Sequence, residues 1–147
     1  MKGKMLLWVL IVIVVIVGLV MVSRGNTPKE ENSMNVEGVK IQVLQEGSGD
    51  VAKSGDSVSM NYTGRLESGT VFDSNVDPQF NHPEPFTFTL GAGQVIKGWD
   101  TGIVGMKVGE KRVLEIEPEF AYGEQGIGPI PPNSTLIFEV ELLSVNQ

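Results

Sequence analysis

Leu136, Phe138, Val140 and Leu142 occupy alternate positions near the end of the chain, with Glu139 and Glu141 between them. A period of two puts the apolar side chains on one face of a strand and the acids on the other. Such a strand needs antiparallel partners, and the upstream chain supplies candidates. Val39, Ile41 and Val43 alternate with Lys40, Gln42 and Leu44, and Val58, Met60 and Tyr62 alternate with Ser57, Ser59, Asn61 and Thr63. Phe86, Phe88 and Leu90 repeat the pattern. Glu67-Ser68-Gly69-Thr70 is a hairpin signal that would return the chain along Val71-Phe72-Asp73-Ser74. Between these runs, residues 75–85 contain Pro78, Pro83 and Pro85, which bars them from a central strand.

Only residues 94–106 read as helical. Val95, Trp99, Ile103 and Met106 form one stripe at three- and four-residue spacings. Gly98 and Gly102 lie inside that stretch, each weakening helix propensity by about 1 kcal/mol. Glycines in such places imply close packing against a neighbour. One short helix and about five strands make an α+β domain, an antiparallel sheet curling over the helix to bury its stripe.

A different solvent is indicated at the start of the chain. Residues 5–22 are apolar, interrupted only by Gly18, with Lys2 and Lys4 before them and Ser23, Arg24 and Gly25 after. About 18 residues at roughly 1.5 Å each nearly match a hydrocarbon core. The exit Leu19-Val20-Met21-Val22-Ser23-Arg24 lacks an Ala-x-Ala cleavage pattern, so the segment reads as an uncleaved signal anchor. Cleavage would instead leave a secreted domain. The positive-inside rule favours a cytoplasmic N-terminus and an extracytoplasmic domain. The expected organisation is an anchor over residues 1–23, a flexible polar linker over 24–36 and a folded domain over 37–147.

The absence of cysteine excludes disulfides and thiolate metal sites, and the formal charge of -7 disfavours nucleic acid. Conventional catalytic groups are scarce. His82, the single histidine, sits between Asn81 and Pro83 in the proline-rich stretch and reads as a surface loop residue. Serines and threonines have no positioned base, and Gly91-Ala92-Gly93 lacks the following Lys-Ser or Lys-Thr of a phosphate loop. Asn61-Tyr62-Thr63 and Asn133-Ser134-Thr135 match the glycosylation sequon, the first within an expected buried strand. What stands out is a set of aromatics near glycines and prolines: Tyr62, Phe72, Phe86, Phe88, Trp99, Phe120, Tyr122 and Phe138. Taken alone, they could simply be the core.

Their order adds information. Asn61-Tyr62-Thr63-Gly64 precedes Gly69-Thr70-Val71-Phe72-Asp73-Ser74, then Phe86-x-Phe88-x-Leu90-Gly91 and Val95-Ile96-Lys97-Gly98-Trp99. Gly105-Met106-x-Val108-Gly109-Glu110, Ala121-Tyr122-Gly123, Ile130-Pro131-Pro132-Asn133 and Leu136-x-Phe138-x-Val140-Glu141-Leu142-Leu143 complete the series. Over about residues 38 to 145 this resembles the FKBP-type peptidyl-prolyl cis–trans isomerases, a macrolide-binding immunophilin family. The resemblance implies a curved antiparallel sheet around one helix, with an aromatic pocket between them. It implies catalytic roles for Tyr62, Asp73, Ile96 and Tyr122, and substrate contacts from Phe72, Phe86, Val95, Trp99, Ile130 and Phe138. Trp99 would be the floor and Ile130 part of the flap after Tyr122. Rotation about an X–Pro bond needs no cofactor. The implied partners are proline-containing unfolded or nascent polypeptides, macrolides such as rapamycin, and the membrane.

Two departures from the family pattern stand out. Residues 75–85 form a longer insertion without Arg or Lys, where relatives often place an Arg to pair with the acid. Asp73 is then expected to rely on the Tyr62 hydroxyl. The flap over residues 124–130 is slightly shorter, and Ile127 stands nearest to a His of some relatives. A non-catalytic chaperone or docking module using the same groove is the alternative reading.

Overall fold

The structure, a computed structural model, describes residues 32–147. The expected membrane segment lies outside them. Among the described residues no helix is long and apolar enough to cross a membrane.

Among the described residues, seven strands form one sheet: β1 (Ser33–Val36), β2 (Val39–Gln45), β3 (Ser57–Leu66), β4 (Val71–Ser74), β5 (Phe86–Thr89), β6 (Lys111–Ile116) and β7 (Leu136–Asn146). Their order is β1-β2-β6-β7-β3-β4, with β5 also pairing β3, and every pairing is antiparallel. The mixed polar and apolar alternation of the sequence explains this choice, since one face can stay wet. The count exceeds the expected five. Ser33–Val36, read as linker, pairs with Val39–Gln42 across a turn at Gly38. Strand β6 escaped notice because its inward row runs Arg112, Leu114, Ile116, with an arginine where an apolar residue would signal a strand.

That arginine is buried together with Glu110. Its Nε donates to Glu110 Oε1, and its Nη1 donates to the carbonyl of Gly102 at 2.9 Å. Glu110 Oε2 in turn accepts from the Lys107 amide at 2.9 Å. Both buried charges therefore have partners, the condition under which such a pair is tolerated.

The helix α1 spans Lys97–Gly102, half the expected length. Ile96 is extended (ψ 148°), and Gly105 at φ 84° turns the chain away, so Ile103 and Met106 are buried without being helical. The inference from the two glycines holds. A Cβ on Gly98 would collide with the Ile116 side chain, and one on Gly102 would lie 2.9 Å from Leu114 Cδ2. Their absence lets α1 lie against β6. The core beneath it includes Ile41, Met60, Leu90, Ile103, Met106, Leu114, Ile116, Leu136, Val140 and Leu142. Each such fully buried side chain contributes about 1.5–3 kcal/mol.

Candidate functional site

Strand register places the site. Leu114 on β6 pairs with Phe138 on β7, Phe138 pairs with Gly64 on β3, and Gly64 pairs with Asp73 on β4. One row thus runs across four strands. Tyr62 stands two residues from Gly64, on the same face of β3. The register of β4 shifts between Gly64 and Arg65, so Phe72 is an extra residue between the paired Val71 and Asp73. Such a bulge re-aims side chains. Here the consecutive residues Phe72 and Asp73 both line the same hollow.

Gly64 has a steric role. A Cβ there would fall 2.6 Å from both Phe138 Cε1 and Phe72 Cζ. The bare backbone lets those two rings meet edge to face, with centroids 5.5 Å apart.

Trp99 lies at the centre of the rings, 4 % exposed. Its centroid is 5.3 Å from Phe138, 5.4 Å from Tyr62 and 5.9 Å from Phe86, all edge to face, and 5.7 Å from Phe88. Edge-to-face pairs of this kind add about 0.5–1.5 kcal/mol beyond area burial. Above the indole is an open hollow of about 220 Å³. Its lining is Tyr62, Phe72, Asp73, Phe86, Gln94, Val95, Ile96, Trp99, Tyr122 and Phe138. Nine of the ten residues singled out from the sequence therefore meet around one cavity. The tenth, Ile130, does not line it. It is buried and bridges back to Ile127 through a pair of backbone hydrogen bonds of 2.8 and 3.1 Å. Flap residue Ile127 is exposed.

The polar groups have distinct settings. The Tyr62 hydroxyl donates to Asp73 Oδ2 at 2.7 Å. Burial, then the hydrogen bond and charge of Asp73, push the Tyr62 phenol well above its ordinary range. The Tyr122 phenol is also raised, by burial first and then by the charge of Asp73. Both remain O–H donors at neutral pH. The Tyr122 hydroxyl and the Ile96 backbone N–H donate no hydrogen bond among the described residues, although both residues line the hollow. Asp100 steadies the loop leading to Ile96: its two carboxylate oxygens accept from the amides of Gly91 (2.8 Å) and Gly93 (3.0 Å).

Two participants are absent from the sequence reading. Gln94 lines the hollow while its Oε1 accepts from the Thr89 amide at 2.9 Å. More consequentially, His82 Nε2 lies 2.7 Å from Asp73 Oδ1. The longer 75–85 segment does deliver a partner to the acid, in the form of histidine. No local pattern marks it, because the contact depends on how the loop folds back.

The comparisons with known proteins agree with this geometry. Residues 49–143 match the family model described as FKBP-type peptidyl-prolyl cis-trans isomerase. An FK506-binding protein 2 from Yarrowia lipolytica is 47% identical over 137 residues, covering 92% of each chain. An FK506-binding protein from Neisseria meningitidis is 55% identical over 109 residues, 74% of this chain and 96% of its own. A protein of Schizosaccharomyces pombe named peptidyl-prolyl cis-trans isomerase is 50% identical over 111 residues, 74% of this chain and 96% of its own. The crystal structure of FkpA from Escherichia coli superposes with a TM-score of 0.70 at 42% identity, covering 80% of this chain and 53% of that one. This chain therefore spans about half the length of FkpA. With the register, the aromatic cup and these matches in agreement, the chain belongs to the FKBP-type peptidyl-prolyl cis–trans isomerase family.

Proposed function

We propose that this isomerase works on proline-containing polypeptides outside the cytoplasm, held at the membrane by residues 5–22, and that it acts by closing an aromatic cup around the twisted prolyl amide. The observation that carries the mechanism is the open hollow above Trp99, walled by Tyr62, Phe72 and Phe138.

Amide resonance gives X–Pro rotation a barrier of about 18–20 kcal/mol, and no covalent bond has to break. At the transition state the C–N bond has lost double-bond character and its charge separation has diminished. The twisted form is less polar than the planar amide, so a dry aromatic enclosure favours it selectively, which is the condition for catalysis. The proline ring would rest on the Trp99 indole. The Ile96 N–H and the Tyr122 hydroxyl are donors at the cavity wall, suited to the carbonyls flanking the rotating bond. Asp73 holds the Tyr62 hydroxyl and so the orientation of that wall. Each neutral hydrogen bond contributes only about 0.5–1.5 kcal/mol net, so apolar shape carries much of the rate. The names of the relatives also suggest that FK506-class macrolides occupy the same cup.

The apolar run of residues 5–22 and its flanking lysines support the membrane placement. Membrane fractionation of cells making the full chain, with protease added to intact and to permeabilised cells, tests it. The domain should sediment with membranes and be digested where protease reaches only the outer side. A chain recovered in the cytosolic fraction contradicts the placement while leaving the isomerase chemistry intact.

A further inference from the structure

We propose that His82 is a specificity-determining residue: by switching between imidazolium and neutral imidazole beside Asp73, it sets the charge of the pocket rim and so selects acidic or basic residues flanking the substrate proline. The proposal rests on the isomerase activity and deepens it.

The loop is built to present this ring. Asn75 accepts from the Tyr62 amide (2.8 Å) and donates to the carbonyls of Met60 (3.0 Å) and Glu84 (3.1 Å), clamping both ends of the segment to β3. Asp77 caps the short 3₁₀ turn Pro78–Phe80, accepting from the Gln79 amide at 3.0 Å. Asn81 then takes a left-handed conformation (φ 53°), which reverses the chain and aims His82 at Asp73. A loop residue free in solvent would need none of this.

The electrostatic surroundings make the imidazole decisive. No Lys or Arg occurs between Arg65 and Lys97, and neither of those pairs with Asp73. Facing the pair are Tyr62 on β3 and Tyr122 just before the flap, both held neutral by burial and by the charge of Asp73. On the loop itself, the Asp77 carboxylate is turned onto Gln79, and Glu84 is exposed without an ion pair. Histidine is the side chain whose ordinary charge change falls between about pH 5 and 8. When it carries charge, it balances Asp73; when neutral, it leaves the rim with one uncompensated carboxylate. The side chains of His82 and Asp73 are 45% and 41% exposed, so a flanking substrate residue can reach them, and solvent screening keeps the effect moderate.

The test is cis–trans exchange measured by NMR on two peptides that differ only in Glu or Lys before the proline. The full chain, His82→Arg and His82→Gln are compared at about pH 5.5 and 8, where the peptide carboxylate and amine both stay charged. For the unaltered chain, the Glu-to-Lys ratio of kcat/KM should rise roughly two- to five-fold on acidification. Arginine stays cationic and should hold the high ratio at both pH values. Glutamine should hold the low one. A ratio in the unaltered chain that does not change with pH overturns the proposal, as does a full pH response in His82→Gln. The unaltered chain and His82→Arg decide the matter by themselves if the glutamine variant folds poorly. Failure of the isomerase reading looks different, since neither peptide would be accelerated at either pH.

Discussion

Trp99 and Phe138 meet edge to face at 5.3 Å, and Phe138 makes a second edge contact with Phe72 at 5.5 Å. Phe138 thus ties the floor of the cup to its wall. Phe138→Leu removes both edge-to-face contacts, and we expect a loss of about 1–3 kcal/mol in stability. Because a wall of the cup goes with them, kcat/KM should drop about ten-fold, corresponding to ~1.4 kcal/mol of transition-state binding. Denaturant titration and exchange NMR report the two effects separately. A variant with unchanged turnover would show that this wall is only core.

Gly64→Ala tests the steric role of the β3 glycine. A methyl group 2.6 Å from Phe72 and Phe138 must push the rings apart. Overpacking of this kind costs about 1–3 kcal/mol. Activity should fall although no polar group has been altered, and near-UV circular dichroism should change with it.

For Tyr122→Phe the expectation is a reduced rate on an unchanged scaffold. Its hydroxyl has no partner among the described residues, so the melting temperature should stay within error. Losing one donor worth about 0.5–1.5 kcal/mol should lower kcat/KM by roughly two- to ten-fold. Complete inactivity in a folded variant would assign the hydroxyl a larger share of catalysis than the cup leaves for it.

At high pH the raised Tyr62 phenol should become visible in stability. The folded chain keeps this proton beyond the ordinary tyrosine value of 10.0, at which the unfolded chain releases it. Above about pH 10 the folded state therefore binds more protons, and stability falls as pH rises; below it the contribution is complete. Tyr122 acts in the same direction. Denaturant midpoints between about pH 9 and 11 should decline less steeply in Tyr62→Phe than in the unaltered chain. Parallel curves would contradict the burial of this hydroxyl.

Away from the site, Arg112→Met strands the buried Glu110 carboxylate without its guanidinium. The expected cost is about 3–5 kcal/mol, with kcat/KM per folded molecule unchanged. The double variant Glu110→Gln/Arg112→Met should recover part of the loss. Urea denaturation of the three chains checks this order.

The residues that follow a local period were readable directly. The alternation at Phe86 and Phe88 and at Leu136 to Leu142 marks real strands, because side-chain parity depends only on the backbone. Gly98 and Gly102 announced close packing before their neighbours Ile116 and Leu114 were known. The cup itself was legible through motif order, which located its lining apart from Gln94, while Ile130 lies in the flap without lining the hollow. Features set by tertiary pairing were not legible. Arg112 disguised β6 because its partner Glu110 satisfies it only in the fold. His82 looked like an idle loop residue because its approach to Asp73 depends on the Asn75 clamp and the left-handed Asn81, neither of which leaves a periodic trace.

The central claim is that enclosure of the twisted prolyl amide, with no proton or bond in transit, produces the catalysis. The most direct measurement is the cis–trans exchange rate of an X–Pro peptide with the full chain, in H₂O and in D₂O. The account predicts faster exchange at an unaltered cis/trans ratio, with the same catalysed rate in both solvents. A catalysed rate that drops markedly in D₂O, or exchange no faster than that of the free peptide, would contradict it.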